Sequence, residues 1–251
     1  MQYVIAVASI CPMRADASHK SEMVSQLLLG EAGEILDDKV DFIKLRCLYD
    51  GYEGWCAKNQ LAGMDDITTV TPQTYTTRRG ASALLNGSRV PLSLASPVFN
   101  KATAGKYVIE FEEGFIHDAI LYDDRAIFIK QLTWQYLNTP YLWGGKSSVG
   151  IDCSGFSQQV FKILGVPLLR DAYQQATQGE PVNGLGEAMC GDLAFFDNEA
   201  GHITHVGILL DSGTIIHASG YVRIDPINDD GITNSVTGVK THKLKSIKRY
   251  F

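Results

Sequence analysis

The chain has no long apolar run, no closely paired cysteines and no basic block, and each absence narrows what it can be. No stretch approaches the ~20 apolar residues of a membrane helix, so a membrane is not an expected partner. The apolar start, Met1 to Ile10, is followed rather than preceded by its first basic residue, Arg14, the reverse of a signal peptide. Tyr3 to Ser9 therefore reads as a first strand. Five cysteines, Cys11, Cys47, Cys56, Cys153 and Cys190, make an odd number without close spacing. That fits a reducing compartment, the cytoplasm, better than a disulfide framework. With 22 Lys and Arg against 28 Asp and Glu, for a net charge of -6, nucleic acid is not an expected partner. No internal repeat or low-complexity segment stands out. The length of 251 residues and the 45% hydrophobic content suit one large folded domain or two to three small ones.

What is present is concentrated in Tyr141 to Phe156, which reads Tyr-Leu-Trp-Gly-Gly-Lys-Ser-Ser-Val-Gly-Ile-Asp-Cys-Ser-Gly-Phe. Cys153 follows a Gly-rich loop and opens an apolar run, Phe156, Val160, Phe161, Ile163 and Leu164, with the spacing of one helix face. A thiol at a helix N-terminus is expected to favour the thiolate, through unpaired backbone N–H groups and the positive dipole end. Such a nucleophile needs a base. His205 and His217 lie in short aliphatic runs either side of Asp211-Ser212-Gly213, a turn signal, so the pair predicts a β-hairpin. If the loop is those three residues, Gly207 faces His217, and His205 is its diagonal neighbour on the same face. One imidazole then orients the other, as in a catalytic triad on a layered α+β scaffold.

These residues resemble the NlpC/P60 cysteine peptidases, papain-like enzymes that cut bacterial cell-wall peptides. The matching pieces are Pro140-Tyr141 to Gly145, Asp152 to Phe156, Arg170 to Gln175, Gly191-Asp192-Leu193 to Phe196, His205 to Ile208 and Ile216 to Ser219. They cover roughly the last half of the chain. The resemblance implies Cys153 as nucleophile, His205 as base, His217 as the orienting residue and Tyr141 near the oxyanion site.

Residues 1–61 show short apolar runs between turn residues, with clear alternation from Phe42 to Tyr49, and read as a small β-barrel. Pro12-Met13-Arg14, Val24 to Gly30 with Leu27 to Leu29, and Tyr52 to Trp55 resemble bacterial SH3 domains. A second, degenerate SH3-like barrel is assigned to 62–117, the alternative being one irregular β-domain that extends the first. The catalytic domain then runs over 118–251, opening with a helix from Asp123 to Asn138 that stops at Thr139-Pro140.

SH3-like domains ahead of a Cys-His-His domain resemble the γ-D-glutamyl-diamino acid endopeptidases of this family. That likeness implies, as partner, a murein-derived peptide, L-Ala-γ-D-Glu-diamino acid, met during cytoplasmic wall recycling. Asp171 would bind its ammonium, helped by Asp152 and Ser154, with Glu53 and Tyr75 completing the pocket from the SH3-like part. A carboxylate there would reject N-acylated peptides, which strand its buried charge. Two other readings compete: a wall-binding protein with an inactive C-terminal domain, and an amidase or acyltransferase on the same scaffold.

The remaining cysteines read as small buried hydrophobes. His19, His117, His202 and His242 carry no motif and read as surface or structural residues. No metal or cofactor is expected. Zinc on Cys153, Cys190, His205 and His217 would lack the close ligand pairs that zinc sites show.

Overall fold

The computed structural model describes residues 2–70, 72, 74–99, 101–111 and 124–251. It forms two compact units: Met1–Asp118 with Trp143–Val149, and Ala119–Leu142 with Gly150–Phe251.

The N-terminal unit starts with β1 (Tyr3–Ala6), β2 (Ile10–Arg14), β3 (Met23–Leu28), β4 (Ala32–Asp38), β5 (Phe42–Cys47), β6 (Glu53–Ala57) and β7 (Leu61–Met64). These make the antiparallel sheet of the SH3-like barrel, in the order β3-β2-β6-β5-β4-β1-β7. The alternation in β5 explains its place there. Ile43, Leu45 and Cys47 enter the core with Val4, Met13 and Leu27, whereas Lys44 and Arg46 face outward and pair with Glu53 and Glu34.

Next come β8 (Thr74–Tyr75), β9 (Ser82–Leu85), β10 (Ser88–Pro91), β11 (Pro97–Val98), β12 (Lys101–Ala104) and β13 (Tyr107–Phe111). Four of them form a second sheet, β10-β9-β13-β12, and β11 pairs with β8. This sheet is not separately cored. Ala83, Leu92, Phe99, Ala102 and Ile109 share one apolar cluster with Ile5, Val7, Leu29 and Ala32 of the barrel. The boundary expected at 61/62 runs through β7, which pairs residue for residue with β1. The boundary expected at 117/118, and His117, lie outside the described residues.

The segment Trp143–Val149, which holds β14 (Lys146–Ser147), is built into this first unit. Trp143 Nε1 donates to Glu22, the Lys146 N–H to Gln26 Oε1 and the Ser148 N–H to Ser93 Oγ. Gly144 has φ +73°, and a Cβ there would run into the Met23 carbonyl, so glycine is required on both counts. Lys146 is fully buried, its Nζ 3.5 Å from Glu31 and 3.9 Å from Asp50.

In the C-terminal unit, α1 (Arg125–Trp134) is capped by Asp124, whose carboxylate accepts from the Ala126 and Ile127 N–H groups. The helix is shorter than expected and turned. Phe128, Ile129 and Leu132 face inward, while Ile127 and Trp134, counted as apolar-face residues from the sequence, are exposed. After β15 (Gly150–Ile151), α2 (Cys153–Ile163) is buried at every position. The short α3 (Ala172–Gln175) leads into β16 (Glu180–Val182), β17 (Leu193–Asp197), β18 (Ile203–Asp211), β19 (Thr214–Ser219), β20 (Tyr221–Asn228), β21 (Gly231–Thr233) and β22 (Lys240–Arg249). The sheet runs β16-β22-β17-β18-β19-β20-β21, and β21 pairs again with β22, so six strands close on themselves. Helix α2 packs on β18 and β19.

Candidate active site

Asp152 caps α2 by accepting from the Gly155 N–H at 2.6 Å, and this places Cys153 on the first turn. The Val206 and Ser154 backbone N–H groups hydrogen-bond the Cys153 sulfur, which sets the thiol against the strand that carries His205. The expectation of a resting thiolate is not met. Burial pushes the thiol up to about 12, with Asp152 acting in the same direction, and the N–H groups and Arg170 only partly offset this. Burial at this position therefore favours the neutral thiol over the thiolate.

His205, His217 and Asp225 lie on three adjacent strands, β18, β19 and β20. The β18–β19 turn is tighter than predicted: Asp211 pairs with Thr214 around Ser212-Gly213, and a bulge between Leu209 and Asp211 shifts the register. Beyond it Ile208 pairs with Ile216, so Gly207 still falls opposite His217, as the sequence predicts. A Cβ on Gly207 would lie 2.8 Å from the His217 Cβ, so glycine makes room for the imidazole. His205 Nε2 then meets His217 Nδ1 at 2.8 Å, and His217 Nε2 meets Asp225 Oδ2 at 3.0 Å.

Asp225, on β20, fixes the tautomers. Burial alone would raise its pKa, but hydrogen bonds from His217, Arg223 and Ser235 outweigh it and hold the carboxyl well below its usual range. An ionised Asp225 accepts from His217 Nε2–H, which leaves His217 Nδ1 as acceptor for His205 Nε2–H. His205 Nδ1 is then the free lone pair of the chain. Burial, with His242 and His217 adding to it, lowers the His205 pKa well below the usual imidazole value.

His242, read from the sequence as surface or structural, is in the cluster. Its ring stacks on His205 with centroids 4.1 Å apart and planes 24° from parallel. Among the described residues, His205, His217 and His242 are the grouping whose nitrogens, all within 4.8 Å of one another, raise the question of a metal. The stacking answers it. A metal lies in the plane of each imidazole it binds, and two nearly parallel rings offer no shared in-plane point nearby. Cys190, the other thiol weighed for zinc, instead donates to the Ala126 carbonyl at 3.7 Å.

The other expected site residues divide between the units. Tyr141 is half-buried beside Cys153, and its hydroxyl is held protonated by burial, with Cys153 and Asp152 adding to the effect. Asp152 and Ser154 are buried and engaged by Arg170. Its guanidinium donates to Asp152 Oδ1 and Oδ2 at 3.1 and 2.6 Å and to Ser154 Oγ at 3.0 Å. The Asp152 charge is thus balanced in place, which weakens it as an ammonium acceptor. Asp171 opens α3, and its N–H donates to Gln174 Oε1 at 3.0 Å. Glu53 and Tyr75 belong to the N-terminal unit. The Glu53 carboxylate is spent on exposed pairs with Arg46 and Lys44, the opposite of a waiting substrate ligand. Tyr75 packs edge-on to Tyr49 with centroids 6.5 Å apart.

Sequence reasoning missed Asp225, Arg170 and His242 as parts of this cluster. Asp225 had one available signal, the alternation of β20, which puts it on one strand face with Ile227, both of them buried.

A thiol at a helix start beside two hydrogen-bonded imidazoles on an antiparallel sheet defines the papain-like cysteine peptidase class. Residues 138–241 match the NlpC/P60 family, and residues 13–61 match the bacterial dipeptidyl-peptidase SH3 domain. The C-terminal domain belongs to the NlpC/P60 family, and the chain is a cysteine peptidase. It is 26% identical over 256 residues to a gamma-D-glutamyl-L-lysine dipeptidyl-peptidase of Bacillus cereus, spanning 90% of this chain and 77% of that one. It is 35% identical over 179 residues to the Bacillus subtilis protein of the same name, spanning 67% of this chain and 60% of that one. A crystal structure of an NlpC/P60 family protein from Bacillus cereus matches 99% of both chains with a TM-score of 0.78 at 18% identity, a likeness of fold.

Proposed function

We propose that the chain hydrolyses the bond after D-Glu in peptidoglycan-derived peptides, L-Ala-γ-D-Glu-diamino acid, that carry a free N-terminal L-Ala. The observation that carries the chemistry is the Asp225–His217–His205 chain, with His205 on the strand whose Val206 N–H bonds the Cys153 sulfur. His205 Nδ1 takes the Cys153 proton as sulfur attacks the γ-carbonyl carbon, so charge develops only with attack. The developing oxyanion takes hydrogen bonds from backbone N–H at the start of α2 and from the protonated Tyr141 hydroxyl. The His205 imidazolium returns the proton to the departing amine, leaving an L-Ala-D-Glu thioester on Cys153. His205 then removes a proton from water, which attacks the thioester, and the regenerated thiol takes that proton.

Asp171, beside the buried Arg170–Asp152 pair, is the carboxylate we assign to the L-Ala ammonium. The names of the Bacillus relatives support this substrate class. A role in cytoplasmic recycling of wall peptides is part of the same proposal, because recycled peptides offer the free amino terminus. The test is mass spectrometry of products from L-Ala-γ-D-Glu-L-Lys, its diaminopimelate counterpart and both N-acetylated forms, with wild type and Cys153→Ala. Release of L-Ala-D-Glu by the wild type alone, and from free peptides only, is expected. Equal cleavage of the acetylated forms would overturn the amino-terminal specificity, and activity in Cys153→Ala would overturn the nucleophile.

A further inference from the structure

We infer that His242 is a positioning residue for the base, its ring face holding the His205 imidazole in the orientation that the Asp225–His217 chain requires. This rests on the assignment of Cys153 and His205 above. His205 makes its in-plane bond through Nε2 to His217, at 2.8 Å. One bond fixes a point, not a plane, and the ring could still swing about it. The faces supply the missing constraint. His242, from β22, is stacked within 24° of parallel at 4.1 Å, while Phe196, from β17, is tilted by 47° at 5.7 Å.

His242 is itself held. Its Nδ1 meets Thr241 Oγ1 at 2.8 Å, its ring sits edge-on to Phe196, and its strand is paired on both sides, to β17 and to β21. The titratable groups around it are His205 on β18, His217 on β19 and Asp225 on β20. Burial and His217 lower its pKa to about 4, against the pull of Asp225, so the ring is neutral at neutral pH. A neutral π face suits this neighbour. When His205 becomes an imidazolium during attack, the face of an uncharged aromatic ring attracts it, whereas a cation would repel it. The contact therefore gains strength as charge develops, which is where an interaction accelerates a reaction rather than only binding substrate.

The test compares His242→Phe, which keeps a flat face, with His242→Leu, which keeps apolar bulk without one. His242→Gln serves as a second face-less variant, because the position is only half-buried and tolerates a polar side chain. Two readouts are taken with melting temperature as a fold control: kcat and KM on the free tripeptide, and the rate at which iodoacetamide alkylates Cys153, followed on its own peptide by mass spectrometry. We expect Leu and Gln to lower kcat about tenfold, equivalent to ~1.4 kcal/mol. KM should stay unchanged, and Phe should restore kcat to within about threefold. Wild-type kcat in Leu and Gln overturns the inference. So does an equal loss in Phe, which would assign the effect to an imidazole nitrogen. The alkylation rate separates this from the site assignment beneath it. If His205→Ala leaves that rate unchanged, the base itself is misassigned. If His205→Ala slows it and His242→Leu does not, only the role of His242 falls.

Discussion

In the N-terminal unit, Lys146 is enclosed with Glu31 and Asp50, all three side chains at most 4% exposed. In the C-terminal unit, Asp225 is equally buried, but the groups lined up on it are His217 and His205. The first cluster consists of an ammonium and two carboxylates, groups whose ordinary pKa values lie far from neutrality. Nothing in it needs to change state, and it holds a loop in place. The second adds imidazoles to one carboxylate and the Arg223 guanidinium that also bonds it, and the imidazoles can pass a proton at neutral pH. Burial of polar groups therefore does not by itself mark a reactive site. What marks it is a buried group able to change protonation at working pH, held in one tautomer.

Three substitutions break or sharpen that contrast. Asp225→Asn removes the charge that orders the tautomers. We expect kcat to fall on the order of 10²- to 10⁴-fold with KM little changed, by steady-state kinetics on the free tripeptide. A loss under threefold would put Asp225 among merely structural groups. Lys146→Met leaves two buried carboxylates without their cation. Breaking a buried pair in this way costs ~3–5 kcal/mol, which for a chain of this size lowers the melting temperature by roughly 10 °C. The kcat of the folded fraction should stay within about threefold of wild type. An unshifted melting curve would show the cluster to be no more than a surface pair in effect. Glu53→Gln touches only solvent-exposed pairs, so melting temperature and KM should barely move. A several-fold rise in KM would return Glu53 to the substrate pocket.

The helix-start thiol and the paired histidines were legible because their signals are local. Asp-Cys-Ser-Gly is a cap followed by a helix start, and the two histidines flank one turn, so their meeting depends on a register that spacing can supply. That register survived an error in the turn itself, because the bulge at Leu210 compensates for the shorter loop. Asp225 needed one further step, the pairing of β20 with β19. His242 was out of reach, because its strand returns from the end of the chain to lie between β16 and β17, and no periodicity announces that order. The burial of the thiol, which opposes the thiolate, was out of reach for a different reason. The helix-end N–H groups are present as expected, but desolvation depends on what packs over the sulfur, and that is decided by residues remote in sequence. In the N-terminal part, strand patterning revealed the elements but left open whether the second sheet has its own barrel or extends the first, and the two share one core.

The membership of Trp143–Val149 in the first unit bears on how such a protein can be taken apart. The chain leaves the C-terminal unit after Leu142, spends seven residues in the other and comes back at Gly150. A single cut near residue 118 does not separate the two, and a gene encoding only the second would carry a loop shaped for an absent host. The units are covalently interleaved, so recombination can shuffle them as a pair more readily than as interchangeable modules.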